Sequence, residues 1–330
     1  MTRIPADTSV VEYDEAGRAD VLHMRSRPLP PPAPGEVTVE MICAGISHID
    51  GFIRDGSQGE WDDDPWPRGS GTDFAGSVVA VGDGVTTLRR GAAVIGHVRC
   101  GAHATYLNVP ATSLVPKPKE LSWETAGGLF LAGATAIDTL DETKVVAGDV
   151  VVISAAAGGV GSIEAQVARH RGATVIGTCG DRNFDYLRQL GIKPVRYGAG
   201  IADRIRAVAG GPVTVLIDNF GQDGRGLAAE LGVPDSRYRS SIDRCETELK
   251  LLRDDEDSVA RATQLLARVT SLAKMRAFTL LISGLYRLDD VAEAYRDLEQ
   301  LHARGKVVLG THLVNSMRVR KARDVHEAAR

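Results

Sequence analysis

Residues 150–169 read VVVISAAAGGVGSIEAQVAR, and their reading decides the fold. An apolar run passes through a glycine-rich elbow into a helical pattern, the order strand, tight turn, helix. Ala155, Gly158 and Gly161 read as a G-x-G-x-x-G fingerprint in which alanine replaces the first glycine. Small residues let the backbone turn tightly, approach a pyrophosphate and pack the helix on its strand. The free N–H groups and the helix dipole then face the anion. A dinucleotide is therefore expected against Ala157, Gly158, Gly159, Val160 and Gly161.

Outward from the elbow, strand-like and helix-like segments alternate. ATVIGT (173–178) is followed by a helix with Phe184, Leu187 and Leu190 on one side, then PVRY (194–197), a helical set of Ile201, Ile205 and Val208, and VTVLID (213–218). Strands separated by single helices predict a parallel, doubly wound sheet. The first 120 or so residues differ in texture: Val37, Val39, Met41 and Cys43 alternate, and SVVAVG (77–82) and GAAVIGHV (91–98) are short strand candidates among Gly and Pro. The chain reads as α/β with a second, β-rich unit. Helices near 258–273 and 288–303 precede GKVVLG (305–310), expected as a last strand that rejoins the first unit. The charged stretch VNSMRVRKARDVHEAAR (314–330) lacks an apolar face and is expected as a frayed tail, flexible over 315–330.

Length and composition bound the function. A chain of 330 residues is long enough for two compact units with real cores. A formal charge of −4 gives no electrostatic reason for a nucleic-acid or anionic-membrane partner. The first 20 residues lack a signal-peptide core and no apolar run is long enough to span a bilayer, so a cytoplasmic location is expected. Cys43, Cys100, Cys179 and Cys245 are far apart and are expected as thiols.

The end of the second strand selects the dinucleotide. NAD sites place an acid about 20 residues beyond the glycines for the ribose 2′-hydroxyl, whereas NADP sites leave that tip neutral and bring an arginine. Here the strand ends Thr178-Cys179-Gly180; Asp181 comes late, and Arg182 offers a planar fork to a phosphate. NADPH is expected.

Several motifs in order resemble the medium-chain dehydrogenase/reductase superfamily, and within it the zinc-independent quinone oxidoreductase (zeta-crystallin-like) branch. They are the elbow from Gly148-Asp149 onward, VVEYDEAGRADVLHM (10–24), APGEVTVEMICAGISHIDGFIRDG (33–56), WPRGSGTDFAGSVVAVGDGV (66–85), LAGATAIDTL (131–140), VTVLIDNFG (213–221) and RGKVVLG (304–310). The resemblance implies a GroES-like catalytic domain over 1–122, completed by about 274–314, around a Rossmann NADP(H)-binding domain over 123–273. It also implies a homodimer. Cofactor contacts carried over by resemblance are Ser47, where the family has an asparagine near the nicotinamide, Thr135 beside its ring, and Tyr197 near the 2′-phosphate. Cys179 and Asn219, at the ends of the second and fourth strands, complete the expected set with Arg182.

Zinc alcohol dehydrogenases of the same superfamily would carry a cysteine where Ser47 stands and a His-Glu pair at Thr72-Asp73. Hydroxyls are poor ligands for a catalytic zinc, so no metal is expected. His97, Cys100 and His103 in HVRCGAH are expected in surface or packing roles. Without metal, the fitting chemistry is hydride delivery to a quinone or an α,β-unsaturated carbonyl. Ser47, His48 and Asp50 are the catalytic candidates, with a structural hydrogen-bonding role favoured for Asp50; His48 replaces a proline common in the branch. Two alternatives are a biosynthetic reductive cyclase and a redox-inactive NADPH-binding protein. SQGEWDDDPWPRGS (57–70) is expected as a solvated loop anchored by Trp66, and SRYRSSIDRCETELK (236–250) as a loop where a substrate wall would stand.

Overall fold

The computed structural model describes residues 4–58, 65–222, 224–301, 303–311 and 321. The N-terminal part begins with the antiparallel pair β1 (Asp7–Tyr13) and β2 (His23–Pro28). Strand β3 (Glu36–Ile46) then buries Val37, Val39 and Met41, the alternation visible in its sequence. Helix α1 (His48–Arg54) starts at Ser47, and β4 (Arg68–Gly69), β5 (Asp73–Val81), β6 (Ala93–His97), β7 (Tyr106–Pro110) and β8 (Leu114–Pro116) complete this part.

Two helices, α2 (Trp123–Gly127) and α3 (Phe130–Glu142), lead into the alternating half. It runs β9 (Val150–Ile153), α4 (Gly159–His170), β10 (Thr174–Cys179), α5 (Phe184–Gln189), β11 (Lys193–Arg196), α6 (Ile201–Ala209), β12 (Val215–Ile217), α7 (Gly224–Glu230) and β13 (Tyr238–Arg239). The five strands form a parallel sheet in the order β11-β10-β9-β12-β13. The chain reverses direction across the sheet between β9 and β12, and a ligand crevice belongs outside the carboxyl ends of the strands at that switch point. The elbow lies there.

Helices α8 (Ser241–Leu251) and α9 (Glu256–Lys274) follow, then β14 (Ile282–Arg287), α10 (Val291–Leu301) and β15 (Lys306–Gly310). Strand β15 returns to pair antiparallel with β3 (Val307 opposite Ile46, Val308 opposite Gly45), in the sheet order β14-β15-β3-β5-β6-β8. A single bridge, Gly158 to Gly305, ties the elbow to the residue before β15. The two halves also share a core: Ile49, Ala75 and Ile95 from the N-terminal half pack in one cluster with Phe130, Val151 and Leu265.

The stretch 236–250, expected as a loop, is mostly helix α8. Ser240 caps it, accepting from Asp243 N at 3.2 Å while the Asp243 carboxylate accepts from Ser240 N at 2.8 Å. This reciprocal cap outweighs the weak helix propensity of Ser, Asp and Thr. The four cysteines are free thiols. In the tail, Lys321 pairs with Glu293 on α10 at 2.9 Å; the rest of 312–330 lies outside the described residues. So does 59–64 of the expected tryptophan-anchored loop, where Trp66 stands edge-on to Tyr13 under the Arg68 guanidinium. Among the described residues no helix is long and apolar enough to cross a membrane.

Helices α3 and α9 approach at Gly133, where a Cβ would lie 2.4 Å from a Val269 methyl. Gly133→Ala should therefore cost about 1–3 kcal/mol by overpacking, read as a lower urea midpoint at unchanged slope. An unchanged midpoint would mean that the helix pair yields freely.

Candidate functional site at the elbow

Strict G-x-G-x-x-G spacing, counted back from Gly161, places the first position at Ala156, which corrects its assignment to Ala155. Ala156 is buried against Gly177 of β10, where a Cβ would meet it at 2.6 Å. Ala155 instead carries the turn, at φ +48°, a left-handed conformation that glycine would adopt more cheaply. The two glycines that remain serve different ends. A Cβ at Gly161 would stand 2.5 Å from the Ala155 carbonyl oxygen, so Gly161 is required by the turn itself. At Gly158 the single protein contact is that same oxygen at 3.3 Å, which leaves the open side for a ligand. Helix α4 begins there with Gly158 as its N-cap, its first amides free of intrahelical partners.

At the β10 tip, Cys179 is buried and its thiol is pushed up to about 12, chiefly by burial, so it lines the site without reactivity. Arg182 is exposed in a short turn, and Tyr197 lies against Gly180. Asp181 is paired with Arg196 at 3.5 Å. Arg304 donates to the Arg182 carbonyl at 3.0 Å and to the Asn183 side chain at 2.9 Å. The tip is thus ringed by Arg182, Arg196 and Arg304, and the late acid is already occupied.

A charged cluster lies beside the elbow. Continuing the β15–β3 register by one residue places Lys306 opposite Ser47. The Lys306 ammonium, 5% exposed, donates to Ile46 O at 2.8 Å and to Ser47 Oγ at 2.7 Å, and stands 3.9 Å from Asp73 Oδ2. Asp73 caps α3 by accepting from Leu131 N at 3.3 Å and takes the Thr72 hydroxyl at 3.1 Å. Burial pushes its carboxyl up to about 6 against the pull of Lys306. Asp50 accepts from Ser47 N at 2.7 Å and from the Tyr295 hydroxyl at 3.1 Å; burial raises its carboxyl too. Its hydrogen bonds make it a residue that holds the start of α1. Ser47 is half-buried and His48 is exposed.

Thr135 Oγ1 on α3 and Asn219 Oδ1 after β12 are among the buried polar atoms that face no partner among the described residues. Asn219 donates to Glu164 Oε2 at 2.5 Å, and Glu164, fully buried on α4, has its carboxyl pushed up to about 7 by burial. A group offering donors fits such atoms, which otherwise carry an unpaid desolvation cost. His97 is stacked on Phe130 at 4.4 Å, and His103 is bonded between Ser70 and Gly45. Burial lowers both imidazoles to about 4, and they are packing residues.

Sequence reasoning missed Lys306, Tyr295, Glu164, Arg196 and Arg304. Two had a visible signal: Lys306 opens an otherwise apolar strand, and Glu164 follows Ile163 on the buried face of an elbow helix.

Residues 33–119 match the family described as alcohol dehydrogenase GroES-like domain, and residues 166–309 that described as zinc-binding dehydrogenase. The chain is 33% identical over 225 residues to a quinone oxidoreductase of Salmonella typhimurium, covering 64% of this chain and 66% of that one. It is 32% identical over 200 residues to an NADPH-dependent alkenal/one oxidoreductase of Arabidopsis thaliana, covering 57% and 52%. The matched stretch thus spans between half and two thirds of these relatives' length. The solved quinone oxidoreductase of Coxiella burnetii superposes with a TM-score of 0.78 at 26% identity, over 93% of this chain and 100% of that one.

The two glycines give opposite expectations. Gly158→Val should fold with stability within about 1 kcal/mol of the wild type yet lose NADPH binding at least about tenfold, because its side chain fills the ligand's space. Gly161→Ala should instead lose about 1–3 kcal/mol of stability. Calorimetric titration and thermal melts check both; tight NADPH binding by Gly158→Val would move the phosphate site elsewhere.

Proposed function

The chain belongs to the medium-chain dehydrogenase/reductase superfamily, in the branch that holds the quinone oxidoreductases, and we propose that it is a zinc-independent, NADPH-dependent reductase of quinones or α,β-unsaturated carbonyls. The same reading makes it a cytoplasmic homodimer that acts on a small molecule, with neither nucleic acid nor membrane as partner. One observation carries the proposal. Of Ser47, Thr72 and Asp73, the positions where the zinc enzymes have ligands by resemblance, Ser47 accepts from the Lys306 ammonium, Asp73 stands 3.9 Å from it, and Thr72 donates to Asp73. Asp73, the one usual ligand type there, is committed to capping α3. A lysine ammonium and a divalent metal would compete for the same acceptors.

NADPH would supply the hydride. The residues fit it: the amides at Gly158 to Gly161 for the pyrophosphate, Arg182 and its neighbouring arginines with Tyr197 for the 2′-phosphate, and the unpaired atoms of Thr135 and Asn219 for the polar edge of the nicotinamide. The activities for which the relatives are named, quinone and NADPH-dependent alkenal/one reduction, support the same acceptor class. Hydride addition to a conjugated system spreads charge onto an oxygen, and hydrogen bonds can hold that charge without a Lewis acid.

The purified protein should oxidise NADPH with a quinone or enone in excess chelator and contain no stoichiometric zinc. About one zinc per chain, with activity lost on its removal and restored on its return, would overturn the mechanism. Arg182→Ala should weaken NADPH binding by about 1–3 kcal/mol and leave NADH nearly unchanged. Equal losses for the two cofactors would make Arg182 a structural residue.

A further inference from the structure

Resting on that reaction, we propose that Lys306 is a positioning residue that makes the Ser47 hydroxyl the hydrogen-bond donor to the acceptor oxygen that gains charge. An ammonium has three donors and no lone pair, so Ser47 Oγ must accept in the 2.7 Å contact with Lys306. The hydroxyl proton is then directed away from Lys306, and among the described residues it is donated to no protein atom. Ser47 N is already bound to Asp50, which with the Tyr295 hydroxyl on that carboxylate fixes the start of α1 and the place of the side chain.

The exposure pattern sets the direction. Lys306, Asp50 and Asp73 are buried, whereas Ser47 is half-buried, so Ser47 is the member of this cluster with a face on open space. That space adjoins the elbow, because a Cβ at Gly159 would stand 3.1 Å from Lys306 Cδ and Gly158 bridges Gly305. The Lys306 ammonium donates directly to Ser47 Oγ at 2.7 Å, whereas the Asp73 carboxylate stands at 3.9 Å, beyond hydrogen-bond distance. A fixed cation behind a hydroxyl strengthens that hydroxyl as a donor.

The reaction balances without a metal. The hydride forms a new C–H bond at the end of the conjugated system, and the π pair shifts onto the oxygen. NADPH is oxidised to NADP⁺ and the acceptor is reduced by two electrons. Ser47 stabilises the oxyanion, and a proton from water completes the product.

The test uses 4-nitrophenol, a phenolate mimic of that oxyanion whose visible absorbance reports its ionisation, titrated into the NADP⁺-saturated protein. Wild-type protein should favour bound phenolate at least about tenfold over solution. Ser47→Thr should keep the effect; Ser47→Ala and Lys306→Met should lose it, with no further loss in the double variant. Lys306→Gln keeps a donor without the charge and carries the same comparison if Lys306→Met does not fold. In turnover, Ser47→Ala should lower kcat about 100-fold while NADPH affinity stays within about threefold. Full phenolate stabilisation by Ser47→Ala, or independent losses from the two residues, would overturn the proposal. The titration needs no turnover, so failure of the wild type to oxidise NADPH would remove the proposed reaction and be read separately.

Discussion

A buried ammonium is the constraint on which the rest depends. Removing a lysine charge from water costs several kcal/mol unless acceptors replace the solvent, so the chain around Lys306 has to present them in one geometry. It does so from three directions: the Ile46 carbonyl at the end of β3, the Ser47 hydroxyl at the start of α1, and the Asp73 carboxylate that caps α3. Each acceptor belongs to a different element, so satisfying one cation aligns all of them. Because Gly305, the preceding residue, donates to Ala157 O at 2.9 Å, the same anchor fixes the elbow against the N-terminal half.

The elbow shows strain placed where a ligand approaches. Ala155 holds a left-handed conformation at a cost of about 1–2 kcal/mol that glycine would avoid. Its carbonyl oxygen in turn crowds Gly161, so the turn closes only with glycine at that position. Near it, Asn219, which donates to Ser154 O at 3.4 Å, keeps its Oδ1 unbonded. Glu164 supports Asn219 from below, and because it sits wholly in the interior its carboxyl is hard to ionise. A strained Ala155 with the unpaired Asn219 oxygen close by concedes stability there, a pattern expected where binding restores the balance.

In the proposed zinc-independent reading, the change at the positions of the zinc enzymes' ligands is chemical rather than a simple loss. By the resemblance Ser47 and Thr72 stand where thiolate and imidazole would, and the Lys306 charge lies against Ser47 and Asp73. A metal polarises a bound oxygen directly; an ammonium behind a hydroxyl can do so only through a hydrogen bond, which suits charge already delocalised by conjugation. The buried histidines are separate from this: burial keeps His97 and His103 neutral, and stacking and hydrogen bonds hold them in structural places.

Much of the architecture was legible because its causes are local. The alternation of Val37, Val39 and Met41, the apolar run of β9 and the glycines after it follow from short-range sterics and periodicity, and the strand–helix alternation implied the parallel sheet. The place of the elbow at the carboxyl end of β9 and the neutral tip of β10 were equally readable. Helix α8 was not, since a reciprocal Ser240–Asp243 cap resembles turn chemistry in sequence. Arg196 and Arg304 reach the β10 tip from a neighbouring strand and a distant segment. The decisive contact, Lys306 to Ser47, joins residues 259 positions apart. Their sequences suggested a strand and a loop; the antiparallel register of β15 on β3 made them partners. Local sequence fixes periodicity and turns because those depend on near neighbours, whereas the partner of a buried charge is chosen only when the whole chain closes around it.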